Sequence, residues 1–220
     1  MGNVLITGAN KGIGFELAKQ LQARGETIHA TCRNSSPDLD GLGAQVYTGI
    51  DIRDHGTHEK LFQQLQDVSL DLVIQNAGIL TPTRLGELDP IAIREQFEVN
   101  ALGPLMLTEK LLSKIPSGGK IALISSRMGS IADNTSGSSY GYRMSKVALN
   151  IAGVSLAQDI RDRQIAVTIL HPGYVQTDIT GGRGFITADV AAKGLIERID
   201  DLSLDTSGRF WHQSGEELPW

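Results

Sequence analysis

A tyrosine and a lysine stand four residues apart in the segment SGSSYGYRMSK, which runs from Ser136 to Lys146. On a helix this spacing places Tyr142 and Lys146 on one face, one turn apart. A nearby positive charge favours the ionised phenol, so we expect the lysine to lower the pKa of Tyr142, as general acid–base chemistry near neutral pH requires. Tyr140 does not share the face of Lys146. The alternative is an incidental pair on a solvated helix, and the surrounding elements decide between the two.

A glycine-rich turn lies near the start of the chain. The short apolar run 4–7 predicts a buried strand, and apolar residues at helical spacing follow over 15–24. Between them stands GANKGIG, which contains Gly8, Gly12 and Gly14. Backbone N–H groups in such a turn can approach a pyrophosphate, and the N-terminus of the following helix adds partial positive charge. The pattern predicts a dinucleotide-binding turn, with an ordinary strand-to-helix connection as the alternative.

The second predicted strand, 27–32, ends at Arg33 and lacks an acidic residue there. An acid at this place commonly binds the ribose 2′-hydroxyl of NAD, whereas an arginine accommodates a 2′-phosphate. Lys11 adds a second cation in the glycine-rich turn. Together they favour NADPH/NADP+ over NADH. The alternative for Arg33 is a solvated surface charge.

Further candidates follow the third and fourth predicted strands, 44–47 and 72–74. Asp51 follows the third strand and either binds the adenine amino group or caps the next helix, predicted over 58–68. The sequence Asn-Ala-Gly at 76–78 follows the fourth strand. Ligands of open parallel sheets lie beyond the C-terminal ends of the strands, so this loop belongs to the predicted ligand crevice.

A proline interrupts the long helix predicted over 91–115. Pro104 has no N–H to donate to the carbonyl four residues back, which belongs to Asn100. We expect a kink there and a carbonyl free to accept a hydrogen bond from water. A kink needed only for packing is the alternative.

Two more strands end at the same crevice. The strand predicted over 120–125 leads into Ser126, and the strand predicted over 165–170 leads into Pro172 and Gly173. Ser125 competes with Ser126 for the position facing the crevice.

The last part of the chain completes the alternation of strands and helices. The loop 175–184 crosses the crevice and carries Thr177, and helices at 140–161 and 188–199 precede a last edge strand at 208–211. This order predicts an α/β fold: one doubly wound, Rossmann-like parallel sheet of about seven strands with helices on both faces. We expect residues 1–220 to form a single NAD(P)-binding domain with the substrate site built in and a lid at about 174–187.

Composition excludes several other classes. The net charge is −5 and no cluster of lysines and arginines occurs, which argues against nucleic-acid binding. No apolar run approaches membrane-spanning length, and the N-terminus does not read as a signal peptide. The lone cysteine, Cys32, predicts a reducing compartment, which we take to be the cytoplasm. The five histidines show no metal-ligand spacing, so no metal site is expected.

Taken together, these motifs resemble the short-chain dehydrogenase/reductase family over nearly the whole chain. TGANKGIG, the Asn-Ala-Gly at 76–78, Asn100, Ser126, the Tyr142–Lys146 pair and the Pro-Gly at 172–173 occur in that family's order and spacing. The short length and the ending SGRFWHQSGEELPW are similar to the C-factor branch, which is related to the small carbonyl reductases.

The resemblance implies a role for each site residue. Tyr142 is implied to protonate the carbonyl oxygen of a substrate, and Lys146 is implied to lower the pKa of Tyr142. Ser126 is implied to orient the same carbonyl. The Asn100 carbonyl is implied to hold a water that links Lys146 to solvent. The family's Ser-x-x-Gly pattern fits Ser126 and Gly129. The cofactor contacts implied are Gly8, Asn10, Lys11, Gly12, Ile13, Gly14, Arg33, Asp51, Ile52, Asn76, Ala77, Gly78, Tyr142, Lys146, Pro172, Gly173, Val175 and Thr177.

The sequence indicates two alternative functions. One is an NADPH-dependent enzyme that reduces the carbonyl of an aldehyde or ketone, with a small lid that predicts an open site and broad or bulky substrates. The other is an NAD(P)-binding signalling or regulatory protein of C-factor type, in which the catalytic set is incidental. The apolar residues of the helices at 91–115 and 140–161 predict a homodimer or homotetramer.

Overall fold

The strands of the chain form one parallel sheet of seven, in the order β3-β2-β1-β4-β5-β6-β7. The computed structural model describes residues 2–220. The strands are β1 (Asn3–Thr7), β2 (Thr27–Thr31), β3 (Gln45–Tyr47), β4 (Leu72–Gln75), β5 (Lys120–Ile124), β6 (Ala166–His171) and β7 (Phe210–His212). The order reverses between β1 and β4, which opens a crevice at their C-terminal ends. The predicted doubly wound sheet is therefore confirmed.

Helices cover both faces of the sheet. They are α1 (Gly12–Ala23), α2 (Pro37–Asp40), α3 (His55–Gln64), α4 (Pro90–Phe97), α5 (Gly103–Leu111), α6 (Tyr140–Asp159) and α7 (Ala188–Asp200). Successive strand residues point to opposite faces, so β1 contributes Leu5 to one core and Ile6 to the other. Both residues are fully buried. Strands buried on both faces explain why the sequence showed short continuous apolar runs rather than alternation.

The connection after β2 contains a short helix. The turn-rich composition of the stretch 35–43 is typical of a loop, but the stretch includes α2. Ser36 precedes this helix, its hydroxyl accepts a hydrogen bond from the Leu39 N–H, and Pro37 occupies the first turn. A serine followed by proline is a helix-start signal that the turn-rich composition concealed.

The helix predicted over 91–115 is also different in detail. Instead of a proline kink, a π-helix over Glu98–Leu102 joins α4 to α5, and the Gly103 N–H donates to the Glu98 carbonyl five residues back. Only glycine fits at position 103, directly after this wider turn, because a Cβ there would lie 2.3 Å from the Ile52 carbonyl oxygen. The π-helix brings Asn100 into the interior of the protein, where it is fully buried.

No helix within residues 2–220 is both long and apolar enough to span a bilayer.

Candidate active site

The Tyr142 and Lys146 side chains lie together on the buried face of α6. The Lys146 Nζ is 5.7 Å from the centre of the Tyr142 ring, and it donates a hydrogen bond of 2.8 Å to the Ile124 carbonyl at the end of β5. Tyr140, two residues earlier, is 36% exposed. The predicted helical spacing is present, and Tyr142 is the tyrosine on the lysine's face.

Burial changes the pKa values of both groups. It raises the pKa of Tyr142 to about 12, and the neighbouring Ser126 hydroxyl acts in the opposite direction. It lowers the pKa of Lys146 to about 7. The expected lowering of the Tyr142 pKa by the lysine is thus not found. The physical reason is that both groups have lost hydration, and the ammonium is directed to the Ile124 carbonyl rather than to the phenol.

Ser126 enters the site from the turn after β5. Its hydroxyl accepts a hydrogen bond of 3.2 Å from the Met128 N–H. A Cβ added at Gly129 would lie 2.9 Å from the Cβ of Lys146, so this turn packs directly on α6 and only glycine fits. Ser125 instead donates to the Asn150 side chain in the interior. The geometry therefore favours Ser126 over Ser125 as the serine that faces Tyr142.

Asn100 holds the loop after β4 against α6. Its side-chain oxygen accepts from the Ile79 N–H at 2.8 Å, and its amide donates to the Ile79 carbonyl at 2.9 Å and to the Ser145 hydroxyl at 3.0 Å. The side-chain amide of Asn100 thus has hydrogen-bond partners for its oxygen and for both of its N–H groups. The backbone carbonyl of Asn100 receives no hydrogen bond from Pro104, because proline has no N–H. A Cβ at Gly78 would lie 3.8 Å from the Lys146 Nζ, so this loop passes close to the lysine.

The glycine-rich turn lies beside these residues at the C-terminal end of β1. Gly8 and Gly12 have φ angles of 65° and 56°, in the left-handed region that favours glycine. A Cβ at Gly14 would lie 2.3 Å from the Gly8 carbonyl oxygen. The Asn76 amide donates to the carbonyls of Thr7 and Gly8, which ties the turn to the end of β4.

The start of α1 fits a dinucleotide phosphate. No side chain caps this helix, and its first turn has no acidic residue, so its N–H groups and partial positive charge are available to an anion. Thr177 lies against the turn: its Cγ2 would be 3.5 Å from a Cβ at Gly12. The turn therefore has the backbone donors and the close packing that a pyrophosphate requires.

The charged candidates occupy the outer part of the crevice. Arg33 follows β2 and is exposed. Lys11 pairs with Asp178 at 2.6 Å, with both side chains largely exposed. Asp51 accepts hydrogen bonds from the Arg53 side chain and N–H, and this arginine holds the pKa of that carboxyl below its usual range. Asp54, not Asp51, caps α3, which removes the capping alternative.

The remaining predicted cofactor residues line the same strand ends. The Asn10 carbonyl accepts from Ser36, the Ala77 N–H donates to Thr7, and the Ile52 carbonyl accepts from His58. Ile13 lies in the first turn of α1. Three others follow β6: Pro172, Gly173 with a φ of 90°, and the buried Val175.

Four residues near the site were missed from the sequence: His58, Thr83, Gln96 and Ser145. Each is buried, and each acts through a hydrogen bond to backbone or to Asn100 rather than through a recognisable motif. Only the position of Ser145, directly before Lys146, offered a signal. Within residues 2–220 no group of three or more histidine, cysteine, aspartate or glutamate side chains has the geometry to hold a metal ion.

Sequence comparisons identify relatives of the whole chain. The family model described as short chain dehydrogenase matches residues 2–184. The chain is 41% identical over 226 residues to the 1-hydroxy-2-glutathionyl-2-methyl-3-butene dehydrogenase of Rhodococcus sp. (strain AD45), with 100% of both chains covered. It is also 41% identical over 154 residues to the C-signal of Myxococcus xanthus, covering 69% of this chain and 93% of that protein.

Solved structures with the same fold include two carbonyl reductases. The carbonyl reductase Sniffer of D. melanogaster matches with a TM-score of 0.92 and 29% identity over 100% of both chains. An NADPH-bound carbonyl reductase from chicken fatty liver matches with a TM-score of 0.89 and 27% identity, over 100% of this chain and 99% of that one.

Proposed function

The chain belongs to the short-chain dehydrogenase family, and we propose that it is an NADPH-dependent oxidoreductase that reduces the carbonyl of an aldehyde or ketone to an alcohol. One observation carries the proposal: Ser126, Tyr142 and Lys146 converge at the ends of the strands, beside a glycine-rich turn shaped for a dinucleotide.

The site residues divide the work of a carbonyl reduction. NADPH, when bound, supplies a hydride. Tyr142 is protonated at neutral pH because its pKa lies far above neutrality, so it donates a proton to the carbonyl oxygen. Ser126, which lies beside that phenol, holds the same oxygen by donating its hydroxyl. Lys146 lies beside the tyrosine on α6, and its ammonium charge stabilises the phenolate that proton donation leaves on Tyr142.

Charge at the outer crevice supports NADPH over NADH. Arg33 is exposed at the end of β2, and the three residues directly after it carry no acidic side chain. Asp51, in the adjoining loop, is engaged by Arg53. NADPH is also the cofactor named for the chicken fatty liver structure.

The experiment that tests the proposal is a panel of aldehydes and ketones assayed for NADPH oxidation. The panel includes bulky and glutathione-conjugated carbonyls, because one relative is named for a glutathionyl alcohol. The corresponding alcohols with NADP+ test the reverse direction. Oxidation of NADPH that depends on the carbonyl supports the proposal, and its absence over the whole panel contradicts it.

A second candidate function is that of an NAD(P)-binding signalling protein. The similarity to the C-signal of Myxococcus xanthus, at 41% identity over 69% of the chain, favours it. Tyr142→Phe separates the two functions. A cellular effect that persists in this variant, while NADPH still binds, supports signalling without catalysis.

We also propose that the protein assembles as a homodimer or homotetramer in the cytoplasm. Large apolar side chains are exposed on α4 and α6, including Ile91 at 74% and Ile151 at 62%. Where such side chains form a contiguous patch, they commonly mark an interface. Light scattering on the purified protein measures the state, and a monomeric mass would contradict this assembly.

A further inference from the structure

The catalytic helix α6 begins without a cap of its own. Ser139 occupies the cap position, but its backbone is left-handed, with φ 49° and ψ 44°, and its side chain accepts no hydrogen bond from the helix. Ser138 before it is also left-handed, with φ 57°. Two successive non-glycine residues in this region are unfavourable and persist only when surrounding contacts impose them.

Thr83, from the loop between β4 and α4, supplies the missing contacts. Its carbonyl accepts a hydrogen bond of 2.7 Å from the Ser139 N–H, and its hydroxyl accepts one of 3.3 Å from the Gly141 N–H. Gly141 is the second residue of the helix, whose N–H a cap side chain normally satisfies. Thr83 is 3% exposed, so water does not compete freely for these donors.

The loop that carries Thr83 is itself fixed to the helices around the site. Asn100 binds both the N–H and the carbonyl of Ile79, as described above, and the buried side chain of Gln96 accepts from the Thr81 N–H at 3.0 Å. The loop is thus held at every second residue from 79 to 83. It cannot shift without disturbing either Asn100 or the start of α6.

Close packing completes the arrangement at the first turn. A Cβ at Gly141 would lie 2.4 Å from the Gln96 Nε2 and 3.1 Å from the Ile93 Cα. α4 therefore rests directly on the turn of α6 that ends at Tyr142. The position of the phenol depends on how this turn is held.

We propose that Thr83 is a positioning residue for Tyr142, because it caps the catalytic helix from a different segment of the chain. The inference rests on the proposed function, in which Tyr142 donates a proton. Thr83 does not touch the reacting atoms. It acts through the first turn of α6, so its loss should slow hydride transfer and leave the NADPH turn, on β1 and α1, unchanged.

Thr83→Val removes the hydroxyl and keeps the shape, and Thr83→Ser keeps the hydroxyl. The readout is the rate of hydride transfer in a single turnover, expressed per molecule of bound NADPH so that misfolded protein does not count. Thr83→Val should lower this rate about tenfold, the effect of a typical cap loss on one turn. Thr83→Ser should stay within about threefold of the wild type, and both should bind NADPH as the wild type does.

Amide hydrogen exchange of Gly141 provides a second test that requires no activity. The N–H of Gly141 should be protected in the wild type and in Thr83→Ser, and it should exchange at least about tenfold faster in Thr83→Val. If Thr83→Val does not fold, the protection of the Gly141 N–H in the wild type and in Thr83→Ser decides whether Thr83 caps the helix.

An unprotected Gly141 amide in the wild type overturns the proposal, as does a Thr83→Val rate equal to the wild-type rate per bound NADPH. If the wild type reduces no carbonyl, the proposed function fails, while the exchange measurement still decides whether Thr83 caps the helix.

Discussion

His171 should make the stability of this protein fall as the pH falls. The residue ends β6 directly before Pro172, and burial lowers the pKa of its imidazole to about 3, with the positive charges of His212 and Arg127 acting in the same direction. Its Nδ1 is buried without a hydrogen-bond partner among the described residues. The folded protein therefore holds this imidazole neutral, whereas the unfolded chain protonates it below about pH 6.5.

The sign of this pH dependence of stability follows from proton binding. Below about pH 6.5 the unfolded state binds more protons than the folded state, so the free energy of unfolding decreases as pH falls toward the folded pKa of about 3. The contribution is fully present above about pH 6.5. At about 1.4 kcal/mol per unit of pKa, the loss in the free energy of unfolding approaches about 5 kcal/mol between about pH 6.5 and about pH 3. Between about pH 6.5 and about pH 4.5 this loss is about 2 kcal/mol.

Urea unfolding of the wild type and His171→Asn at these two pH values measures the effect. The wild type should lose about 2 kcal/mol more than the variant between them, because asparagine does not titrate. Any constant cost of the substitution cancels in this difference, and so does the titration of the histidines other than His212, whose ring centre lies 5.1 Å from that of His171. His55→Asn, at an exposed histidine of α3, is the matched control and should follow the wild type. A parallel loss in the wild type and His171→Asn would refute the reasoning.

Two further variants test the cofactor side of the crevice. Arg33→Asp should weaken NADPH binding by about tenfold or more and NADH binding far less, because it replaces a cation by an anion where a 2′-phosphate would lie. Lys193→Asp, at an exposed lysine of α7, is the control. Equal losses of affinity for NADPH and NADH in Arg33→Asp would contradict the assignment. Gly14→Ala should lower the free energy of unfolding by about 1–3 kcal/mol, since the added Cβ would lie 2.3 Å from the Gly8 carbonyl oxygen. Thermal unfolding and NADPH titration measure it, and an unchanged protein would show that the turn is not closed there.

The sheet was predictable because its strands are buried on both faces. Runs such as 4–7 and 72–74 are too short for helices and are bounded by turn residues, so their type was clear from the sequence alone. The alternation of strands with helices then fixed the class of fold. Element ends were less certain: α3 was predicted from 58 but starts at His55, because Asp54 caps it.

The candidate site was predictable only as far as its residues form local patterns. Tyr142 and Lys146 share a helix, so their spacing placed them together. The π-helix, by contrast, depends on Gly103 packing against Ile52, which is distant in sequence. The pKa of Tyr142 depends on burial, and the cap of α6 comes from Thr83, 58 residues before Gly141. None of these has a local sequence signal.

The central claim is that Tyr142 is the proton donor of an NADPH-dependent reduction. The most direct measurement compares Tyr142→Phe and Tyr140→Phe with the wild type in a single turnover, using the best carbonyl of the panel and counting bound NADPH. Tyr142→Phe should reduce the rate of hydride transfer by about 10²–10⁴-fold with NADPH still bound, and Tyr140→Phe should leave it unchanged. A Tyr142→Phe enzyme that transfers hydride at the wild-type rate would contradict the claim.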